Sequence, residues 1–121
     1  MNDAARRDFP LLAAGLRLVA KEQPEKFHLV GWKCKSTACA IGWLPTFAPE
    51  TPIELVGSGS DPALYWPQLK SNQGCIGFHA IMEAYGLTRD EVKFLFHEES
   101  YEDASDAILV ADRIEQFLAD H

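Results

Sequence analysis

The sequence has no hydrophobic run that approaches the ~20 residues needed to span a bilayer. Its N-terminal stretch also lacks the apolar core of a secretory signal peptide. We therefore expect a cytoplasmic protein, in which the three cysteines stay reduced. Free thiols and a metal site are then the two interpretations of these cysteines, because a disulfide framework needs an oxidising compartment.

The signature motifs of several enzyme classes are also missing. The sequence contains no P-loop, no dinucleotide-binding fingerprint, no serine nucleophile elbow and no zinc-protease motif. The Gly57-Ser58-Gly59 stretch is too short for a phosphate-binding loop and therefore predicts a turn. No internal repeat or low-complexity tract is present, and 121 residues are typical of one domain. We expect residues 1–121 to form a single domain.

Basic residues are scarce in the last third of the chain. Residues 1–82 carry eight basic and seven acidic side chains, whereas residues 83–121 carry three basic and eleven acidic ones. A surface this acidic repels phosphate backbones, so direct binding to nucleic acid is not expected. The acidic face either keeps the protein soluble or contacts a basic partner protein. The sequence leaves both interpretations open, and it indicates no oligomeric state.

Helical periodicity covers much of the sequence. Asp8 is expected to cap a first helix that ends at Glu22, with Pro10 in the first turn. Ser36 or Thr37 is expected to cap a short second helix. The predicted helices span residues 8–22, 38–44, 74–85 and 104–119, and a further helix follows the capping box at residues 88–91. The apolar residues of the last two helices are Val92, Leu95 and Phe96, and then Ala107, Val110, Ala111, Ile114, Phe117 and Leu118. Pro45 is expected to end the second helix, and Ser71 or Asn72 to cap the third.

Residues 53–56 and 63–66 are apolar runs on either side of a Gly/Ser segment, so they predict a small β-hairpin. Because proline cannot donate a ladder hydrogen bond, Pro67 is expected to keep the second run away from the centre of a sheet. The expected fold is mainly α. Four to five short helices surround a central Cys/Trp-containing helix, and a small β-hairpin or extended loop lies near residues 53–67.

The stretch from Trp32 to Trp43 holds two of the three tryptophans and two of the three cysteines. Its Cys34-Lys35-Ser36-Thr37-Ala38-Cys39-Ala40-Ile41-Gly42-Trp43 segment resembles the Cys-x-Thr-x-x-Cys-Ala-x-Gly-Trp/His motif of a family of small bacterial and phage proteins. The resemblance continues through Tyr85-Gly86-Leu87-Thr88, Leu95-Phe96, Tyr101 and Ile114-Glu115-Gln116-Phe117-Leu118. It covers most of the chain but departs at Ser36 and at Tyr85, where threonine and phenylalanine are usual. It implies a domain outline and a role in host–phage interplay, and it supplies no mechanism.

A zinc site is the sharpest chemical hypothesis. Cys34, Cys39, Cys75 and His79 match the four ligands of tetrahedral zinc in number. Cys75 and His79 are i, i+4 on the predicted third helix, so both side chains share one face. The spacing of Cys34 and Cys39 does not fit a zinc knuckle, however. Buried cysteine is also common as a small hydrophobic residue, and we favour this packing interpretation over a metal site.

A small thiol enzyme is the second hypothesis. Cys39 near a helix start would have a lowered pKa, and His79 would act as its base. The surrounding Ala/Ile/Gly/Trp run argues against it, because burial among apolar side chains raises the pKa of a thiol.

The interpretation that we favour is a non-enzymatic protein-interaction domain without a cofactor or metal. Tyr65 and Trp66 are the aromatic binding candidates, since both residue types often anchor interfaces. The acidic binding candidates are Glu98, Glu99, Glu102, Asp103 and Asp106. In its specific form the protein is a phage-type inhibitor whose acidic half occupies a basic surface of its target. The alternative is the small thiol- or zinc-dependent enzyme that uses Cys39, Cys75 and His79.

Overall fold

A computed structural model describes residues 1–27, 39–57, 65–103 and 105–121. The helices are α1 (Asp3–Glu22), α2 (Ala40–Phe47), α3 (Gly77–Tyr85), α4 (Arg89–Phe96) and α5 (Ala107–Asp120), and the strands are β1 (Ile53–Gly57), β2 (Tyr65–Leu69) and β3 (Asn72–Ile76). The prediction of a mainly α fold with a small β part is confirmed. No helix in the described ranges is long and apolar enough to cross a membrane.

Helix α1 lies at the centre of the described structure and contacts α2, α3 and α5. Its apolar stripe, with Phe9, Leu12 and Leu16, is fully buried. Arg6 donates to the His121 carbonyl at one end of α5, and Arg17 pairs with Asp112 nearer the other end. These contacts run in opposite order along the two helices, so α1 and α5 are antiparallel.

The start of α1 differs from the prediction. Asn2 is the N-cap, because its Oδ1 accepts a 3.0 Å hydrogen bond from the Ala5 amide. The Asn2 amide and its Nδ2 also donate to the Tyr85 and Ala84 carbonyls, both at 3.0 Å, so one residue joins the start of α1 to the end of α3. The predicted cap at Asp8 was wrong, since Asp8 is buried inside the helix. Pro10 lies two residues further on and not in the first turn.

The Cys/Trp segment is described only from Cys39 onward, so Cys34, Ser36 and Thr37 lie outside the described residues. Cys39 is the N-cap residue of α2. The prediction that Pro45 ends this helix was wrong, because α2 continues to Phe47. The Phe47 ring lies where a side chain at Gly15 of α1 would begin, so only glycine allows this close contact between the helices.

The strands form an antiparallel sheet in the order β1-β2-β3. The predicted hairpin is confirmed in β1 and β2, although its second strand begins at Tyr65. Pro67 lies on β2, which is the middle strand, and pairs with Leu55 of β1. The prediction that Pro67 keeps this run away from the centre of a sheet was therefore wrong. The reason is local: β3 pairs with β2 from Gln68 onward, and the next position opposite Pro67 is Gly77, where α3 begins. Pro67 therefore has a strand neighbour on one side only.

Strand β3 occupies residues that were expected to begin a helix. Helix α3 starts at Gly77, three residues after the predicted start, and Ile76 is its N-cap in place of Ser71 or Asn72. At its other end, Gly86 has a φ of 63°, the left-handed conformation that glycine adopts without strain. The capping box of Thr88 and Glu91 then begins α4, as predicted.

The apolar stripe predicted for the last helix is confirmed in α5. Val110, Ala111 and Ile114 are fully buried, and Phe117 is nearly so. The helix begins at Ala107 and not at residue 104, because the Asp106 carboxylate accepts hydrogen bonds from the Ile108 and Leu109 amides. Asp106 is therefore a helix cap, which limits its availability for other contacts.

Candidate functional site

Both described cysteines are buried. Burial raises the pKa of the Cys39 thiol to about 11, so this group is protonated at neutral pH. The pKa of Cys75 is also raised, first by burial and then by the Glu83 carboxylate. A thiol that stays protonated is a poor nucleophile, so the geometry at Cys39 disfavours the thiol-enzyme hypothesis.

The predicted shared helix face of Cys75 and His79 was wrong. Cys75 lies on β3 and is buried, whereas His79 lies on α3 and is exposed. Within residues 1–27, 39–57, 65–103 and 105–121, no three His, Cys, Asp or Glu side chains are grouped so that they could hold a metal ion. Cys34 is outside these ranges. Cys39 and Cys75 are both part of the buried hydrophobic core.

The most buried polar cluster joins α1, α3 and the segment before β1. The Tyr85 hydroxyl donates to Asp8 Oδ2 at 3.0 Å and lies 2.5 Å from Thr51 Oγ1. Arg7 holds the same carboxylate through two contacts, at 2.7 and 3.0 Å. Burial raises the pKa of Tyr85, so the hydroxyl keeps its proton and acts as a donor. No buried side-chain nitrogen or oxygen of the described residues lacks a hydrogen-bond partner, so the cluster is a satisfied polar network that stabilises the fold.

The acidic binding candidates lie in the connection between α4 and α5, within residues 97–103 and 105–106, and side-chain contacts hold it at Ser100 and Tyr101. Arg113 of α5 donates to the carbonyls of Phe94 and Ser100, at 3.0 and 2.6 Å. Its guanidinium carbon lies 4.4 Å from the centre of the Phe94 ring and 4.0 Å from that of Tyr101. The Tyr101 hydroxyl donates to the Leu95 carbonyl at 2.6 Å, and burial raises its pKa. The connection therefore presents its acidic side chains on an ordered frame.

The five acidic candidates divide into two groups. Asp103 Oδ1 accepts hydrogen bonds from the Ser105 amide and hydroxyl, and Asp106 caps α5. The carboxylates of the other three, Glu98, Glu99 and Glu102, have no partner in the described part of the chain. Glu99 and Glu102 are exposed and Glu98 is half-exposed. These three glutamates are the group that is available to a partner.

The two aromatic candidates do not form one surface. Successive residues of a strand point to opposite faces of a sheet, so Tyr65 and Trp66 of β2 lie on different sides. Tyr65 lies on the same face of the sheet as the buried Pro67. Trp66 lies on the other face, together with its pairing partner Val56. Trp66 is 38% exposed. Both lie on β2, whereas the acidic candidates lie between α4 and α5.

A groove between α4 and α5 was not found from the sequence. Its volume is about 590 Å³. Phe94 and Leu109 line it and are 49% and 38% exposed, and Phe117 lies at its base. The signal that could have revealed it is position: Phe94 and Leu109 fall outside the stripes that the periodicity assigned to the core. The groove adjoins the acidic connection through Arg113, which lines the groove and binds the Ser100 carbonyl.

Comparison of the chain with protein-family models, curated proteins and solved structures gives no match.

Proposed function

We propose that the protein is a non-enzymatic protein-interaction domain whose acidic α4–α5 connection contacts a basic surface of a partner protein. The observation that carries the proposal is the fixed position of this connection. Arg113 and Tyr101 hold its backbone, while Glu98, Glu99 and Glu102 keep their carboxylates unpaired within the described residues. A pre-ordered acidic segment loses little conformational entropy on binding, which favours affinity for a complementary surface.

The specific form of the proposal is an inhibitor. Nucleic-acid-binding proteins carry basic surfaces that neutralise phosphates. The glutamates of a rigid acidic segment, spaced along the connection, compete for the same lysines and arginines. A phage or prophage protein that blocks a host nucleic-acid-binding protein fits this description, and the resemblance of the Cys34–Trp43 motif to phage proteins supports it.

The test is affinity capture with a charge-reversal variant. The Glu98→Lys/Glu99→Lys/Glu102→Lys protein and the wild type are immobilised, and proteins captured from a bacterial extract are quantified by mass spectrometry. The matched control reverses three exposed carboxylates elsewhere, Glu22, Glu25 and Glu83, so its net charge changes equally. We expect basic proteins to bind the wild type and the control and not to bind the Glu98→Lys/Glu99→Lys/Glu102→Lys protein.

The captured protein is then assayed for nucleic-acid binding with and without the wild-type chain. The inhibitor form would be supported if the captured protein loses nucleic-acid binding when the wild-type chain is added but keeps it when the Glu98→Lys/Glu99→Lys/Glu102→Lys protein is added. Captured proteins that are acidic, or capture that both triple variants change equally, would refute the proposed function.

A further inference from the structure

We propose that the groove between α4 and α5 is a peptide-binding site that takes a short basic segment of a partner protein. One large apolar side chain of that segment inserts between Phe94 and Leu109. This inference rests on the proposed function, since it names a second contact that the partner would make beside the acidic connection. The two contacts have different physical causes, because the groove binds through its apolar surface and the acidic connection binds through its charge.

The size and lining of the groove suit an anchoring side chain. Its volume of about 590 Å³ lies within the ~300–1,000 Å³ that is usual for binding clefts. Phe94 is 49% exposed, although phenylalanine is normally a core residue. With Leu109 beside it and Phe117 beneath, it leaves apolar surface that a partner would remove from water.

The groove is pre-formed. The Arg113 guanidinium lies over the Phe94 ring and donates to the Phe94 carbonyl, which holds this residue against α5. At the other end, the rings of Phe117 and His121 are stacked with their centres 4.0 Å apart. A ligand therefore meets side chains that are already in position, which lowers the entropic cost of binding.

The charge around the groove selects a basic segment. The Asp112 and Asp120 carboxylates of α5 lie along it. Asp112 forms an ion pair with Arg17 of α1 at 2.7 Å, and Asp120 accepts a hydrogen bond from Gln116 at 3.1 Å. Among the described residues that line the groove, Arg113 is the one lysine or arginine, and its charge is directed at two carbonyls and two aromatic rings. Residues 83–121 as a whole are strongly acidic. Lysine or arginine beside the apolar anchor would meet these carboxylates, whereas an acidic segment would be repelled.

The experiment uses a random peptide library displayed on phage and selected on the immobilised full-length chain. Enriched peptides are synthesised and titrated by fluorescence polarisation against the wild type and against Phe94→Ser and Leu109→Ser. The matched control is Leu11→Ser, which removes a similarly exposed leucine (46%) from α1. We expect the enriched peptides to carry a net positive charge and a large apolar residue. Their Kd should rise at least tenfold with either groove variant and less than twofold with Leu11→Ser.

Thermal unfolding of the three variants checks that each is folded, and two independent groove variants keep the test valid if one of them is not. The inference is overturned if no peptide is enriched, if the enriched peptides are neutral or acidic, or if they bind Phe94→Ser and Leu109→Ser as tightly as the wild type. Basic peptides that ignore the groove variants but lose affinity for the Glu98→Lys/Glu99→Lys/Glu102→Lys protein would overturn the groove and leave the proposed function standing. Peptides that lose affinity for the groove variants but bind the Glu98→Lys/Glu99→Lys/Glu102→Lys protein as tightly as the wild type would support the groove and overturn the proposed function.

Discussion

Two regions of the molecule treat their carboxylates in opposite ways. Between α1 and α3, the Asp8 carboxylate is buried and is bound by Arg7 and by the Tyr85 hydroxyl. In the α4–α5 connection, the Glu102 carboxylate is exposed and has no such partner in the described residues. Both regions are rich in polar groups, and both use an arginine. Arg7 holds the carboxylate itself, while Arg113 holds the backbone and leaves the nearby carboxylates in solvent. The first arrangement stabilises the fold, and the second presents charge. The two regions should therefore respond differently to mutation.

The largest loss of stability is expected for Asp8→Ala. The substitution removes the acceptor of the Tyr85 hydroxyl and leaves a void in a fully buried position. Hydrogen bonds to charged groups contribute roughly 1.5–3 kcal/mol, so the free energy of unfolding should fall by about 3 kcal/mol in urea titration. Glu83→Ala, an exposed carboxylate on α3, serves as the control and should change it by less than about 0.5 kcal/mol. Similar values for the two variants would show that the buried cluster is not stabilising.

Gly15→Ala should also destabilise the α1 region. The added methyl group would overlap the Phe47 ring, and such overpacking typically costs about 1–3 kcal/mol. Alanine is the better helix former by about 1 kcal/mol, so a net loss of up to about 2 kcal/mol is expected. In a double-mutant cycle, Phe47→Ala should remove the penalty of Gly15→Ala. If the two losses of stability simply add, the contact does not depend on glycine.

Arg113→Ala should have a smaller effect on global stability, about 1 kcal/mol, because its interactions are half-exposed. Its main effect should be local. Amides of residues 97–103 should exchange hydrogen faster, since the carbonyl contacts that fix the connection are lost. Arg89→Ala, an exposed position on α4, is the control. Unchanged exchange in Arg113→Ala would mean that the connection is held by other contacts.

The smallest effect on stability is expected for the Glu98→Lys/Glu99→Lys/Glu102→Lys protein. Its substitutions remove no side-chain hydrogen bond or ion pair within the described residues, so the free energy of unfolding from urea titration should change by no more than about 0.5 kcal/mol. This near-neutrality separates loss of a partner from loss of the fold. A strong destabilisation would place these glutamates in the same class as Asp8 and remove the contrast between the two regions.

Local signals predicted some elements well, and long-range contacts account for the failures. The capping box at Thr88 and the stripe of α5 depend on residues within one or two turns, so they were readable from the sequence. Asp8 was misassigned because an aspartate before Phe9 and Pro10 resembles a cap, while its real partner Tyr85 is 77 residues away. Strand β3 was missed because Asn72 and its neighbours are poor strand formers, and pairing with β2 sets their conformation.

The candidate site was predicted in part for the same reason. The sequence identifies the acidic residues, but only the structure distinguishes Asp103 and Asp106, which have local hydrogen bonds, from the three glutamates. The groove at Phe94 depends on which exposed apolar residues of α4 and α5 come together, and periodicity within one helix contains no such information.

The double role of Asn2 has a consequence for how this fold opens. Helix ends normally fray independently, because each first and last turn is held by few bonds. Here the first turn of α1 and the last turn of α3 share the amide and side chain of one residue, so neither can open without releasing the other. The Asn2 amide proton should therefore exchange at the rate of a cooperative unit that contains both helices. Residue 2 then reports on the opening of the core rather than on the mobility of a chain end.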